Sequence, residues 1–128
     1  MGGRFLLDTN IVIALINDEA DAVLRFAGII AYVPLPVIGE LDYGARSSNR
    51  AAENLEKVER FVTSTSILLP DRDTASWYGQ VRHALRVKGR PLPENDMWIA
   101  ALAGQHDLTL VSRDAHFHEI DALKLESW

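Results

Sequence analysis

Short runs rich in leucine and β-branched residues alternate along this chain with segments whose apolar residues recur at helical spacing. That alternation restricts the fold more than any other feature. Strands separated by helices cannot pair as tight hairpins; they cross over and lie parallel, with helices covering both faces. Residues 4–7, 29–33, 67–69 and 108–111 read as strands, and 123–125 is a candidate fifth. Thr9 or Asn10 is placed to cap a helix through Ile11, Val12, Leu15 and Ile16. Residues 18–27 suit a short second helix with Val23, Leu24 and Ala27 on its inner face, ended by Gly28. Pro36 opens a third helix that carries Glu40 and Leu41 and ends near Gly44. Residues 49–63 follow with Leu55, Val58 and Val62 inward, and 73–87 with Trp77, Val81, Ala84 and Leu85 inward. Pro93 begins a last helix through Trp98, Ile99, Leu102 and Ala103. The expected fold is therefore α/β, a three-layer sandwich around a parallel sheet of four to five strands. At 128 residues this is the size of one ordinary domain, spanning 1–128.

Composition narrows the chemistry. The absence of cysteine removes disulfides, thiolate metal sites and a cysteine nucleophile. The first apolar run stops at Asp8, which is not the pattern of a signal peptide. The longest apolar stretch, residues 29–38, is interrupted by Pro34 and Pro36 and is too short to span a bilayer. The cytoplasm is the expected location, with no membrane partner.

Four acids stand where such a fold gathers its sites. Asp8 directly follows the first strand, and Glu40 lies in the opening turns of the helix after the second. Asp96 occupies the first turn of the last helix, and Asp114 follows the fourth strand by three residues. Parallel sheets bind ligands beyond the carboxyl ends of their strands, which is the edge all four share. Asp96 also aligns with Ile99, Ala100 and Ala103, the apolar side of its helix. A carboxylate on a buried face must be paired, protonated or bound to a metal. Any one of these acids alone reads more readily as a helix cap or a solvated loop residue than as part of a site. Crowded together they would repel, and a divalent cation resolves the repulsion.

The net charge of −5 is unlike that of a typical nucleic-acid binder. Its distribution is uneven, however. Arg82, Arg86, Lys88 and Arg90 fall within nine residues, and Arg46 and Arg50 bracket Ser47-Ser48-Asn49. Such clusters are ordinarily solvated helix faces. Beside an acidic metal pocket they could also hold a phosphate backbone.

The wording around the acids is more specific than their spacing. Leu6-Leu7-Asp8-Thr9-Asn10-Ile11, Glu40 in a proline-rich helix entry, Asn95-Asp96-Met97-Trp98-Ile99-Ala100-Ala101 and Leu110-Val111-Ser112-Arg113-Asp114 follow in order across almost the whole chain. This closely resembles the PIN-domain ribonucleases, in particular the VapC-type toxins of bacterial toxin–antitoxin pairs. The resemblance implies a PIN-like sandwich in which Asp8, Glu40, Asp96 and Asp114 are the catalytic, metal-binding acids, supported by Thr9 and Ser112. Asp8 and Asp96 would be direct ligands, Glu40 a ligand or water-orienting base, and Asp114 a ligand of a second ion or a ligand through water.

Hard oxygen donors without sulfur favour one or two Mg²⁺ or Mn²⁺ ions over zinc. Such a cation polarises a phosphodiester and activates water for in-line attack, giving 5′-phosphate and 3′-hydroxyl ends. The resemblance further implies an RNA substrate, a cognate antitoxin partner and a homodimer. Arg46, Arg50, Arg82, Arg86 and Arg90 become candidates to hold the RNA backbone. One position departs from the pattern: His116 stands where many members carry a further acid, which puts a second ion in question. The alternative reading from a different class is an inactive PIN domain that binds RNA or protein without turnover.

Overall fold

The computed structural model describes residues 3–128. Its central strand is β1 (Arg4–Leu7), and both neighbours, β2 (Ile30–Pro34) and β4 (Thr109–Val111), run parallel to it. With β3 (Ser66–Leu68) and β5 (Leu125–Glu126) the sheet has the order β3-β2-β1-β4-β5, parallel throughout. The helices are α1 (Thr9–Ile16), α2 (Ala20–Phe26), α3 (Leu35–Arg46), α4 (Ala51–Thr63), α5 (Arg72–Lys88) and α6 (Glu94–Gln105). The expected α/β architecture is thus present, with five strands.

The chain leaves β1 toward β2 on one side, whereas β4 arrives on the other. The strand order reverses between β1 and β4, and a crevice opens there beyond their carboxyl ends. Leu7 pairs with Val111, so Asp8 and Ser112 step off the sheet side by side. Leu6, Leu7, Leu110 and Val111 are fully buried, and each leucine contributes about 1.5–3 kcal/mol by leaving water. Asp8 and Ser112 therefore sit at the ends of the most deeply buried strands, where the backbone has least freedom to yield.

Local chemistry sets the helix limits. Asp8 rather than Thr9 or Asn10 caps α1, accepting the Thr9 N–H at 2.8 Å. Pro36 occupies the first turn of α3 as expected, but the helix runs past Gly44 to Arg46 because Ala45 is buried. Gly89 ends α5 in the left-handed conformation (φ 72°). Gly104 in α6 lets the Trp77 ring pack close against that helix; a Cβ there would meet the indole at 2.8 Å. That packing explains how Trp77 holds α5 to α6 while staying 39% exposed.

One expected face is wrong. Val23 and Leu24 are 42% and 77% exposed, whereas Ala22 is buried and Phe26 packs on the core. Helix α2 has only seven residues, and its orientation follows its bulkiest side chain, Phe26, which lies 6.5 Å ring to ring from Phe61 of α4. The inner face of α5 is likewise narrower than expected, with Leu85 buried and Ala84 exposed. Among the described residues no helix is long and apolar enough to cross a membrane.

A single 3₁₀ turn, Ala115–Glu119, follows β4 and has no periodic signature in the sequence. Phe117 anchors it from inside and is fully buried. Phe117→Ala should cost about 3–5 kcal/mol of stability by leaving a cavity beneath the turn. Urea unfolding checks this, and a loss below 1 kcal/mol would mean that the turn is not anchored by this ring.

Candidate active site

Asp8 is 5% exposed and is held from several sides. Its Oδ1 accepts the Thr9 N–H, and its Oδ2 accepts the Ser112 hydroxyl at 2.6 Å. The Asn10 amide lies 3.4 Å from both Asp8 Oδ2 and Ser112 Oγ, and its own oxygen accepts the Arg113 N–H at 3.1 Å. Ser112 Oγ in turn accepts the Asp114 N–H at 3.0 Å. One hydroxyl thus ties the acid after β1 to the acid after β4.

The other two acids come from helices. Asp96 projects from the first turn of α6, whose Ile99, Ala100 and Ala103 are buried as expected. Glu40 projects from the second turn of α3. Asp8, Glu40, Asp96 and Asp114 all line one open cavity of about 540 Å³, with Thr9, Asn10, Glu94, Asn95 and His116 also on its wall. The four acids singled out from the sequence are therefore brought together, Thr9 lines the same cavity, and Ser112 lies buried beneath it.

Electrostatics register the crowding. Burial, followed by repulsion from Asp8 and Asp96, raises the Glu40 pKa above the ordinary carboxylate value; Thr9 and Asn95 offset part of this. Burial also raises the Asp96 pKa, against the opposing hydrogen bond from His116. No Lys or Arg is among the described residues lining the cavity. The nearby Arg113 is turned away, its guanidinium bonded to the Trp128 carbonyl at 2.9 Å and to Glu19 at 3.1 Å.

The wall fits a hard divalent cation. It offers carboxylate oxygens and one imidazole, and Thr9 Oγ1 and Glu40 Oε1 lie buried there without a well-formed hydrogen bond, although Thr9 and Asn95 approach the Glu40 carboxyl. Buried polar atoms left unpaired in a fold are costly unless an ion or water completes them. Ligand atoms of Asp96, Asp114 and His116 lie within 4.8 Å of one another.

His116 is not a loose loop residue. Its Nε2 lies 2.6 Å from Asp96 Oδ2 and its Nδ1 lies 2.8 Å from Asp114 Oδ1. Asn10, Glu94 and Asn95 were not among the expected site residues. Asn10 and Asn95 each adjoin a motif acid or its partner, and that adjacency is the signal that could have found them. Glu94 is held at the rim by the Tyr78 hydroxyl and by Arg82 at 3.6 Å.

The arginines are scattered. Arg82 and Arg86 line a neighbouring hollow of about 360 Å³ that shares Glu94 with the acidic cavity. Arg90 lies 4.0 Å from Glu119. Arg46 pairs with Asp42 at 2.5 Å and Arg50 with Glu53 at 3.5 Å; neither lines the acidic cavity.

A parallel sheet reversing at β1/β4 over converging acids is the architecture of a PIN domain. The chain belongs to this family, whose model matches residues 5–123. It is 35% identical to ribonuclease VapC2 of Haemophilus influenzae, with 98% of each chain covered. It is 33% identical to the tRNA(fMet)-specific endonuclease VapC of Shigella flexneri, again over 98% of each. Among solved structures, VapBC2 of Rickettsia felis bound to a promoter DNA fragment superposes with a TM-score of 0.90 at 27% identity. DNA-bound VapBC of Salmonella typhimurium superposes with a TM-score of 0.87 at 30% identity, and both matches cover 98% of each chain.

The raised acids carry a stability consequence. A carboxyl whose pKa is raised by folding binds more protons folded than unfolded, so stability falls as pH rises through the window from its unfolded to its folded pKa. Without metal, melting temperature should therefore decline as pH rises out of the acidic carboxylate range toward neutrality. Glu40→Gln and Asp96→Asn should each raise the metal-free melting temperature at pH 7 by roughly 2–5 °C. Scanning calorimetry in chelator measures this, and a lower melting temperature for both variants would show that the acids are not in repulsion.

Proposed function

We propose that this chain is a metal-dependent endoribonuclease that acts as the toxin of a toxin–antitoxin pair. The observation that carries the reading is the convergence of Asp8, Glu40, Asp96 and Asp114 on one cavity lined by no Lys or Arg among the described residues. Family membership and relatives named as VapC ribonucleases over almost the whole chain support RNA as the substrate. Solved relatives that are VapBC assemblies, of a family of toxin–antitoxin systems, support a small antitoxin as partner. A homodimer is a further expectation of the family resemblance.

Mg²⁺ or Mn²⁺ is the cation in this reading, held by Asp8 and Asp96 with Glu40 and Asp114 around it; when bound it would polarise the phosphodiester and activate water. The protein's own groups do the rest. Ser112 and the Thr9 N–H fix both oxygens of Asp8, so that little reorganisation is needed when substrate arrives. Glu40, on the cavity wall beside Thr9 and Asn95, is the carboxyl available to orient the attacking water. Arg82 and Arg86 stand in the adjoining hollow to hold the backbone beyond the scissile bond. Arg46, Arg50 and Arg90 are outer candidates for the same task.

Cellular RNA incubated with the purified chain and Mg²⁺ or Mn²⁺ should yield discrete fragments with 5′-phosphate ends. Chelator and Asp96→Asn should each reduce the rate by at least about 100-fold. Full activity in Asp96→Asn would refute the assignment. Metal binding without fragments would favour the inactive, RNA- or protein-binding alternative. Arg86→Gln should weaken RNA binding and make its salt dependence shallower by about 0.7 in log–log slope. An unchanged slope would remove Arg86 from the interface.

A further inference from the structure

The hollow of about 360 Å³ beside the acidic cavity lies between the last turns of α5 and the first turn of α6. Three of its lining side chains, Leu85, Leu92 and Met97, are apolar and buried. Arg82, Arg86 and Glu94 line it too, and Glu94 belongs to the acidic cavity as well. Arginines alone would suit a phosphate backbone, but a backbone has no use for leucine and methionine beneath it. An apolar lining with a few charged groups is the pattern of a small-molecule site, and the volume fits the lower end of the usual range, about 300–1,000 Å³.

The charged groups are held in place by the protein itself. The Tyr78 hydroxyl donates to Glu94 Oε1 and accepts from Arg82 Nη1 at 2.8 Å. The phenol ring is stacked on Trp98 of α6, with 4.2 Å between centroids and 17° between planes. Arg82 Nη1 lies 3.6 Å from Glu94 Oε2, and both side chains remain more than half exposed. An ion pair that open contributes little to stability. Its consequence is a carboxylate fixed at the junction of the hollow and the acidic cavity.

Single-stranded RNA is read through unstacked bases that are packed against side chains and hydrogen-bonded along their Watson–Crick edges. An ionised carboxylate only accepts hydrogen bonds. Guanine offers it two adjacent donors, N1–H and the N2 amino group. Adenine and cytosine offer one amino group beside a ring-nitrogen lone pair. Uracil offers one N–H between two carbonyls, so all three set a lone pair against the second carboxylate oxygen.

We propose that the hollow is a base subsite that takes guanine from a nucleotide flanking the scissile phosphate, with Glu94 accepting from N1–H and the N2 amino group. The proposal rests on the ribonuclease reading above and deepens it by naming what the site selects. Leu85, Leu92 and Met97 receive the ring, while Arg82 and Arg86 keep the adjoining phosphates. Tyr78 is a positioning residue, because it acts through Glu94.

The test combines binding with mapped cleavage. Labelled uridine oligoribonucleotides with a central guanosine, adenosine, cytidine or uridine are titrated, with Mg²⁺, into the full Asp96→Asn chain, whose cleavage is suppressed. The guanosine oligonucleotide should bind at least about 10-fold more tightly than the others, and inosine, which lacks the N2 amino group, should lose most of that advantage. Adding Glu94→Gln should bring the ratio below about 3-fold, and adding Tyr78→Phe should lower it too. Wild-type cuts in cellular RNA should carry guanine at one fixed position beside the cleaved bond. Equal affinity for all four bases, a preference untouched by Glu94→Gln, or cuts with no fixed guanine would overturn the subsite and leave the ribonuclease reading standing. Neither cuts nor RNA binding from the folded wild type would overturn both.

Discussion

Everything at the site follows from holding a carboxylate immobile at the end of a buried strand. Asp8 cannot move away from its neighbours, because Leu6 and Leu7 fix the strand beneath it and Ser112 and the Thr9 N–H hold both its oxygens. Glu40 and Asp96 are delivered to the same cavity by helices whose apolar faces are committed elsewhere. The resulting repulsion is built into the fold. Burial, with that repulsion added, raises the affinity of Glu40 and Asp96 for protons, and the excess of negative potential favours a divalent cation.

Folding and function oppose each other here in a way that clarifies the surroundings. Asn10 and Ser112 are neutral, and they hydrogen-bond Asp8 without occupying the place of a cation. Cations close in sequence are directed elsewhere: Arg113 to Glu19 and the Trp128 carbonyl, and Arg82 to Glu94 at the rim. A lysine or arginine inside the cavity would relieve the repulsion permanently and leave no room for an exchangeable ion. Excluding such residues from the wall is as much a part of the site as supplying the acids.

Much of this was legible in the residues, for identifiable reasons. Asp8 ends an apolar strand, and Asp96 shares a helix face with Ile99, Ala100 and Ala103; both positions follow from periodicity. The alternation of strands and helices carries the parallel topology with it. The geometry of His116 was not legible. It depends on a 3₁₀ turn too short for any period and on a contact with Asp96, twenty residues away in sequence. Nor was the inner face of α2 legible, because a seven-residue helix takes its orientation from a tertiary contact between Phe26 and Phe61. Asn10 and Asn95 act through geometry that adjacency to an acid only hints at.

The most direct test of the central claim is anomalous diffraction at the manganese edge from crystals grown with Mn²⁺. The account predicts a peak in the cavity beyond β1 and β4, within coordination distance of Asp8 and Asp96. A well-ordered, intact cavity with no peak, or a peak only at a surface acid elsewhere, would contradict it.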